Sequence, residues 1–121
     1  MDRMGYEENL MAREMLGFIE ELAQKQVGFY VWHDAPGGQR TIVLKAVEVA
    51  EYASDPVGFL AKHYGVPKDV YVGWQQNEYK VLCAGTTQKG SQCQNTVPGL
   101  SDTKTPKEWW EGQGGYCSVH I

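Results

Sequence analysis

Four side chains that favour soft metal ions constrain this chain more than anything else in it: Cys83, Cys93, Cys117 and His120. They include all three cysteines of the protein, and their spacing is Cys-x9-Cys-x23-Cys-x2-His. Cys117 and His120 are close enough in sequence to bind one ion from a single turn. Cys83 and Cys93 flank a polar stretch containing Gly85 and Gly90 that is expected to fold back as a hairpin. Zinc accepts thiolate and imidazole in a tetrahedron without a geometric preference of its own, so two such ligand pairs suffice. The expectation is a Cys3His site holding one zinc ion. The other readings are one disulfide with a spare thiol, or three unrelated buried thiols.

Four protein ligands would fill the tetrahedron, whereas a catalytic zinc keeps a position open for water. The expected role is therefore structural. Nucleophilic use of a cysteine conflicts with its use as a ligand. The motifs of zinc proteases, deaminases, phosphate loops and serine hydrolases are also missing from the sequence. His33 and His63 stand apart from the set and are read as core or surface histidines.

A chain of 121 residues with 42% hydrophobic residues buries only a modest core and gains from a metal staple. Its net charge of -4 gives no overall drive towards nucleic acid and makes a basic partner the easier one to imagine. The charge is uneven, with 6 basic and 10 acidic side chains over residues 1–67 and 5 of each over 68–121. The N-terminus lacks a basic region followed by an apolar run, and no stretch approaches the roughly 20 apolar residues of a spanning helix. A cytoplasmic compartment, where thiols stay reduced, is the expectation.

Apolar residues at Leu10, Met11, Met15, Phe18, Ile19, Leu22 and Ala23 predict an amphipathic helix from Glu7 to about Gln26, with Gly28 at its C-cap. Glu7 and Glu8 are expected in its opening turns, where the helix dipole favours acid. Residues 29–33 and 40–44 are β-prone and read as a hairpin across the Pro-Gly-Gly connection, with Tyr30 and Trp32 on one face. Residues 45–53 suit a short helix, although Val47 and Val49 would equally suit an extension of the strand. Ser54-Asp55-Pro56 starts another, which Gly65 ends. Residues 68–75 fit either a helix or a strand, and as a helix they would complete a helix-turn-helix-like element over 57–75. That element carries Asp69, Gly73 and two valines, and few donors that could read base edges.

Tyr79 to Leu82 is expected to enter the cysteine hairpin as a strand. The organisation predicted is a small α+β domain over 1–76, built of a helix, a hairpin and short helices, and a zinc-stapled hairpin module over 77–121. Between Cys93 and Cys117 the chain is rich in Gly, Ser, Thr and Pro, so Trp109 and Trp110 carry much of its apolar content.

Cys83, Thr87, Gly90, Cys93, Tyr116, Cys117 and His120 together resemble a short bacterial and phage zinc module with the pattern C…TxxGxxC…YCxxH. The likeness covers about the last 40 residues. It implies zinc binding and no particular activity, because such modules occur in unrelated proteins. The longer stretch that holds Trp109 and Trp110 departs from the module and reads as an inserted loop.

The function expected is non-catalytic binding of a protein partner. Its specific form is a phage or mobile-element inhibitor seated on a basic surface of a host nucleic-acid-handling defence complex. The residues expected at the partner are Trp109, Trp110, Glu7, Glu14 and Glu21. The competing classes are a DNA-binding regulator using the element over 57–75, and an enzyme whose site the sequence does not display.

Overall fold

The computed structural model describes residues 3–120, leaving aside the side chains of residues 3–9 and Met11. Glu7 and Glu8, expected near a partner and at the helix dipole, therefore lie outside the described side chains. The described residues form an α+β fold of five helices and one two-stranded antiparallel sheet. Its order is α1 (Arg3–Gln24), β1 (Phe29–Ala35), β2 (Gly38–Leu44), α2 (Ala46–Ser54), α3 (Pro56–Tyr64), α4 (Lys68–Gln76) and α5 (Pro106–Glu111). Packing divides the chain into two compact units, Met1–His33 with Arg40–Phe59, and Asp34–Gln39 with Leu60–Ile121.

In the first unit α1 begins earlier than its apolar periodicity requires, so its first turn carries no acidic residue. Its end also differs from expectation. Gln26, not Gly28, adopts the left-handed conformation, at φ 69°. The Gln26 amide donates to the Ala23 carbonyl and the Val27 amide to the Leu22 carbonyl, each at 3.0 Å. This paired pattern closes the orphan carbonyls of the last turn two residues before the glycine. The hairpin turns tightly through Pro36 and Gly37, the latter at φ 87°. With two residues in the turn, Tyr30 falls opposite Val43 and Trp32 opposite Thr41.

α2 opens on Lys45, whose amide donates to Glu48 Oε1 at 2.8 Å. α3 opens on Asp55, whose Oδ1 accepts the Gly58 amide at 3.1 Å, with Pro56 at the first helical position where no amide is needed. The core of this unit contains Leu44, Phe59 and His33. Tyr52 meets Phe59 edge-on at 5.7 Å, and α1 packs on α2.

The second unit is built around Trp74, which has no exposed surface. Residues 68–76 are helical. Val70, Tyr71 and Trp74 recur at helical spacing and are all buried, which explains why two β-prone valines do not make a strand. Tyr64, Tyr71 and Tyr79 surround the indole at ring distances of 5.6, 5.8 and 4.8 Å. Its Nε1–H donates to Thr103 Oγ1 at 3.1 Å, and the Thr103 hydroxyl donates to the Tyr79 carbonyl at 2.7 Å.

Tyr79 to Leu82 does not form the expected strand. After Gln76 the chain turns through Glu78 and Tyr79, both at positive φ, and the β-pairing beyond them consists of the isolated antiparallel bridges Leu82–Thr96 and Thr86–Gln92. The metal-site arms replace a regular ladder with backbone bonds of varied register. The stretch expected as an inserted loop holds α5, capped by Thr105, whose Oγ1 accepts the Glu108 amide at 3.2 Å.

Candidate metal centre

Three backbone segments bring the four expected ligands together. Cys83 and Cys93 stand on paired arms, because the Cys83 amide donates to the Asn95 carbonyl at 2.8 Å and the Cys93 amide to the Gly85 carbonyl at 3.0 Å. The turn between the arms is shaped as its sequence predicts. Gly90 takes φ 83°, which a side chain would strain, and Thr87 Oγ1 accepts the Ser91 amide at 3.2 Å. The third segment is tied to the first by the Ala84 amide, which donates to the Gly115 carbonyl at 2.9 Å. It then closes a tight turn in which the His120 amide donates to the Cys117 carbonyl at 3.0 Å.

The ligand atoms of Cys83, Cys93, Cys117 and His120 all lie within 4.8 Å of one another. The Sγ atoms of Cys93 and Cys117 are 3.9 Å apart. The Nδ1 atom of His120 is 3.2 Å from Cys83 Sγ and 3.4 Å from Cys117 Sγ. A tetrahedron with zinc bond lengths has edges of roughly 3.8 Å between sulfurs and 3.6 Å between sulfur and nitrogen. A disulfide would need about 2.0 Å. The observed spacing is compatible with four ligands around one ion, and all three cysteines are free and buried.

The surroundings fit the same chemistry. The Gly85 amide donates to Cys83 Sγ at 3.3 Å, and the Asn95 side-chain amide donates to Cys117 Sγ at 3.6 Å. Such donors hold thiolates in place and moderate their charge. Gly85 also makes room for the imidazole, because a Cβ there would stand 2.8 Å from His120 Cγ. The donor set, three sulfurs and one ring nitrogen, is suited to zinc and other soft-to-borderline ions.

In the metal-free chain these contacts divide the thiols into two kinds. Burial pushes the Cys117 thiol up. The Asn95 amide, the Val119 and His120 backbone amides and the His120 ring outweigh it and bring the thiol from 9.0 down to about 6. Cys83 is lowered in the same way: burial raises it, but the Cys117 and Gly85 backbone amides and the His120 ring prevail. At Cys93 the Asn95 backbone amide lowers the pKa, yet burial and the neighbouring sulfurs together raise it. The sulfurs of Cys117 and Cys83 raise His120 against the opposing effect of burial. These shifts favour a deprotonated Cys117 beside a His120 imidazole that holds its proton more tightly than usual.

Of the residues expected at a partner, Trp109 is turned into its own unit, where its Nε1–H donates to the Lys80 carbonyl at 2.8 Å. Trp110 stands 47% exposed. Glu14 and Glu21 are exposed on α1, with Glu21 3.4 Å from Lys25. His63 is exposed with its ring edge-on to Tyr64, and Tyr116 of the motif is half exposed. Sequence reasoning does not mark Asn95, and it marks Gly85 only as a turn glycine, not as a neighbour of the site. Their only signal is position, two residues beyond a ligand, where turn amides commonly meet a thiolate. No family model, curated protein or solved structure matches this chain.

Proposed function

We propose that this protein is a non-catalytic binding protein whose second unit is held together by one structural zinc ion, and that its partner is a protein. The observation that carries the binding role is the outer face of the hairpin. There Tyr30 and Trp32 are 62% and 57% exposed, with ring centroids 6.2 Å apart, beside the exposed Val43. A sheet face that offers Tyr and Trp to solvent has the composition of an interface centre. Both edges of the two-stranded sheet also lack a further strand among the described residues, so a partner strand could extend it.

Zinc is supported by the four-ligand cluster and by the resemblance of its motif to the bacterial and phage module. Four protein donors leave no position for substrate water, which supports a structural metal. The acidic excess over residues 1–67 favours a partner with a basic surface, such as a host complex that handles nucleic acid. Among the described residues no helix is long and apolar enough to cross a membrane.

Capture from a lysate by the wild-type chain and by a Tyr30→Ser/Trp32→Ser variant tests the reading. A protein retained by the first and lost by the second is expected. Equal retention by both removes the hairpin face. The rival reading, a DNA-binding regulator, gains from α3 and α4 forming two helices joined at Gly65. It loses from Gln75, which is committed to the Asp34 carbonyl at 2.7 Å and to Tyr71. Duplex DNA titrated at two salt concentrations decides it, since binding absent at low salt removes the regulator.

A further inference from the structure

The first helix presents a second surface with its own chemistry. Met15 and Phe18 are 58% and 61% exposed, although both belong to the apolar side of an amphipathic helix. Leu22, itself half-buried, continues the same stripe at three- and four-residue steps. Leu16 and Ile19, on the adjoining face, are half-buried, and α1 packs on α2. The helix thus uses one part of its apolar surface inside its unit and leaves the other part uncovered.

Beside the uncovered stripe, Glu14 and Glu21 stand exposed at a seven-residue interval. Glu7 continues that interval in the sequence. Over Arg3–Gln24 the helix carries five Glu against two Arg. Lys25, just past the helix, lies 3.4 Å from Glu21 and offsets part of this row, but the acidic excess remains, and an apolar seam edged mostly by one charge is the pattern by which one helix selects another.

We infer that this face of α1 takes a basic amphipathic helix of a partner protein, with apolar side chains seated on Met15, Phe18 and Leu22 and Lys or Arg opposite Glu14 and Glu21. The charge decides among occupants. A second copy packed antiparallel would set one glutamate row against the other. Packed parallel, it would set Glu14 and Glu21 against Ile19 and Gln26, which supply no cation. A bilayer surface favours helices rich in Lys and Arg, and a phosphate backbone repels glutamate. This inference rests on the reading that the protein acts by binding protein, but it uses a surface separate from the hairpin face.

The test uses the full, zinc-loaded chain and a labelled synthetic helical peptide with Leu at three- and four-residue steps and Lys at seven-residue steps. A peptide with Glu in place of Lys is the control. Fluorescence anisotropy should show binding of the Lys peptide, weakening with salt, and none of the Glu peptide. Met15→Ser/Phe18→Ser and Glu14→Lys/Glu21→Lys should each weaken it by about tenfold or more, with helical circular dichroism and zinc content retained. Tyr30→Ser/Trp32→Ser should leave it unchanged, so that loss of hairpin-dependent capture and loss of this interaction are read apart. Lys-peptide binding that ignores the α1 variants, or equal binding of the Glu peptide, overturns the inference. So does a dimer in sedimentation that Phe18→Ser dissociates, since a second copy is then the occupant.

Discussion

Gly73 of α4 lies directly beneath the Trp109 ring of α5: a Cβ at residue 73 would stand 2.6 Å from Cη2 of the indole. A glycine in the middle of a helix costs about 1 kcal/mol against alanine. Here that cost is offset by close approach of two helices and by the bond from Trp109 to the Lys80 carbonyl. Gly73→Ala should therefore destabilise the second unit by about 1–3 kcal/mol, despite the better helix former. Denaturant unfolding followed by tryptophan fluorescence measures it, and a more stable variant would show that the ring is free to move aside.

Removal of the proposed zinc should have a larger effect than any single packing change. Apparent binding energies of structural zinc are about 10–16 kcal/mol. His120→Ala or Cys117→Ser should abolish stoichiometric zinc in elemental analysis and release the ordered segment between Cys93 and Cys117. The helical signal of α1 and α2 should persist. Gly85→Ala should weaken zinc binding while keeping all four ligands, because its methyl group meets the His120 ring.

Acid should release the metal, and the sign follows from the ligands. Each must lose its proton to bind, and Cys93 and His120 hold theirs more tightly than usual. Calorimetry in buffers of different ionisation enthalpy should show proton release on zinc binding, declining as pH rises. In the metal-free chain Cys117 contributes stability that is complete above its ordinary 9.0 and lost as pH falls through about 6. His120 contributes in the opposite sense: its share is complete below its ordinary 6.5 and lost as pH rises through its elevated value. Asn95→Ala should move the Cys117 titration upward, read by thiolate absorbance of the metal-free protein.

Thr103 is fully buried and links Trp74 to Tyr79 through a single hydroxyl. Thr103→Val keeps the volume but removes both bonds. It should cost about 1–3 kcal/mol, the penalty for leaving buried polar groups underused, in the same fluorescence-detected unfolding. A loss within error would mean that the Thr103 carbonyl, 3.2 Å from the indole nitrogen, satisfies it alone.

Gln26 ends α1 in a left-handed conformation that most side chains disfavour. Gln26→Gly should stabilise the first unit by about 0.5–1 kcal/mol, and a raised midpoint in helical circular dichroism checks it.

The residues of the candidate metal site were legible before the fold was. Soft ligands are few in this chain, and two of them sit three residues apart, so chemistry and spacing alone named Cys83, Cys93, Cys117 and His120. Helices α1 and α3 were legible too, because periodicity, Asp55 and Pro56 act within one or two turns, whereas Val47 and Val49 left α2 open to a strand. Residues 68–76 were not, since Val70 and Val72 suit a strand as well as a helix. Only burial of Tyr71 and Trp74 against Tyr64, Tyr79 and Thr103 settled them as α4. The end of α1 was misplaced for a related reason: a glycine marks where a left-handed residue is easy, whereas the hydrogen bonds of the last turn decide where one is needed.

The sequence by itself determined which four residues form the candidate metal cluster and where the local helix signals of α1 and α3 fall, because both depend on near neighbours and on the kind of donor. Tertiary structure decided the rest. It placed Trp109 on Gly73 and left Trp110 at the surface, and it left Tyr30, Trp32, Met15 and Phe18 in solvent. Two adjacent tryptophans, or two faces of one helix, are alike in composition, and only packing against residues distant in the chain tells them apart.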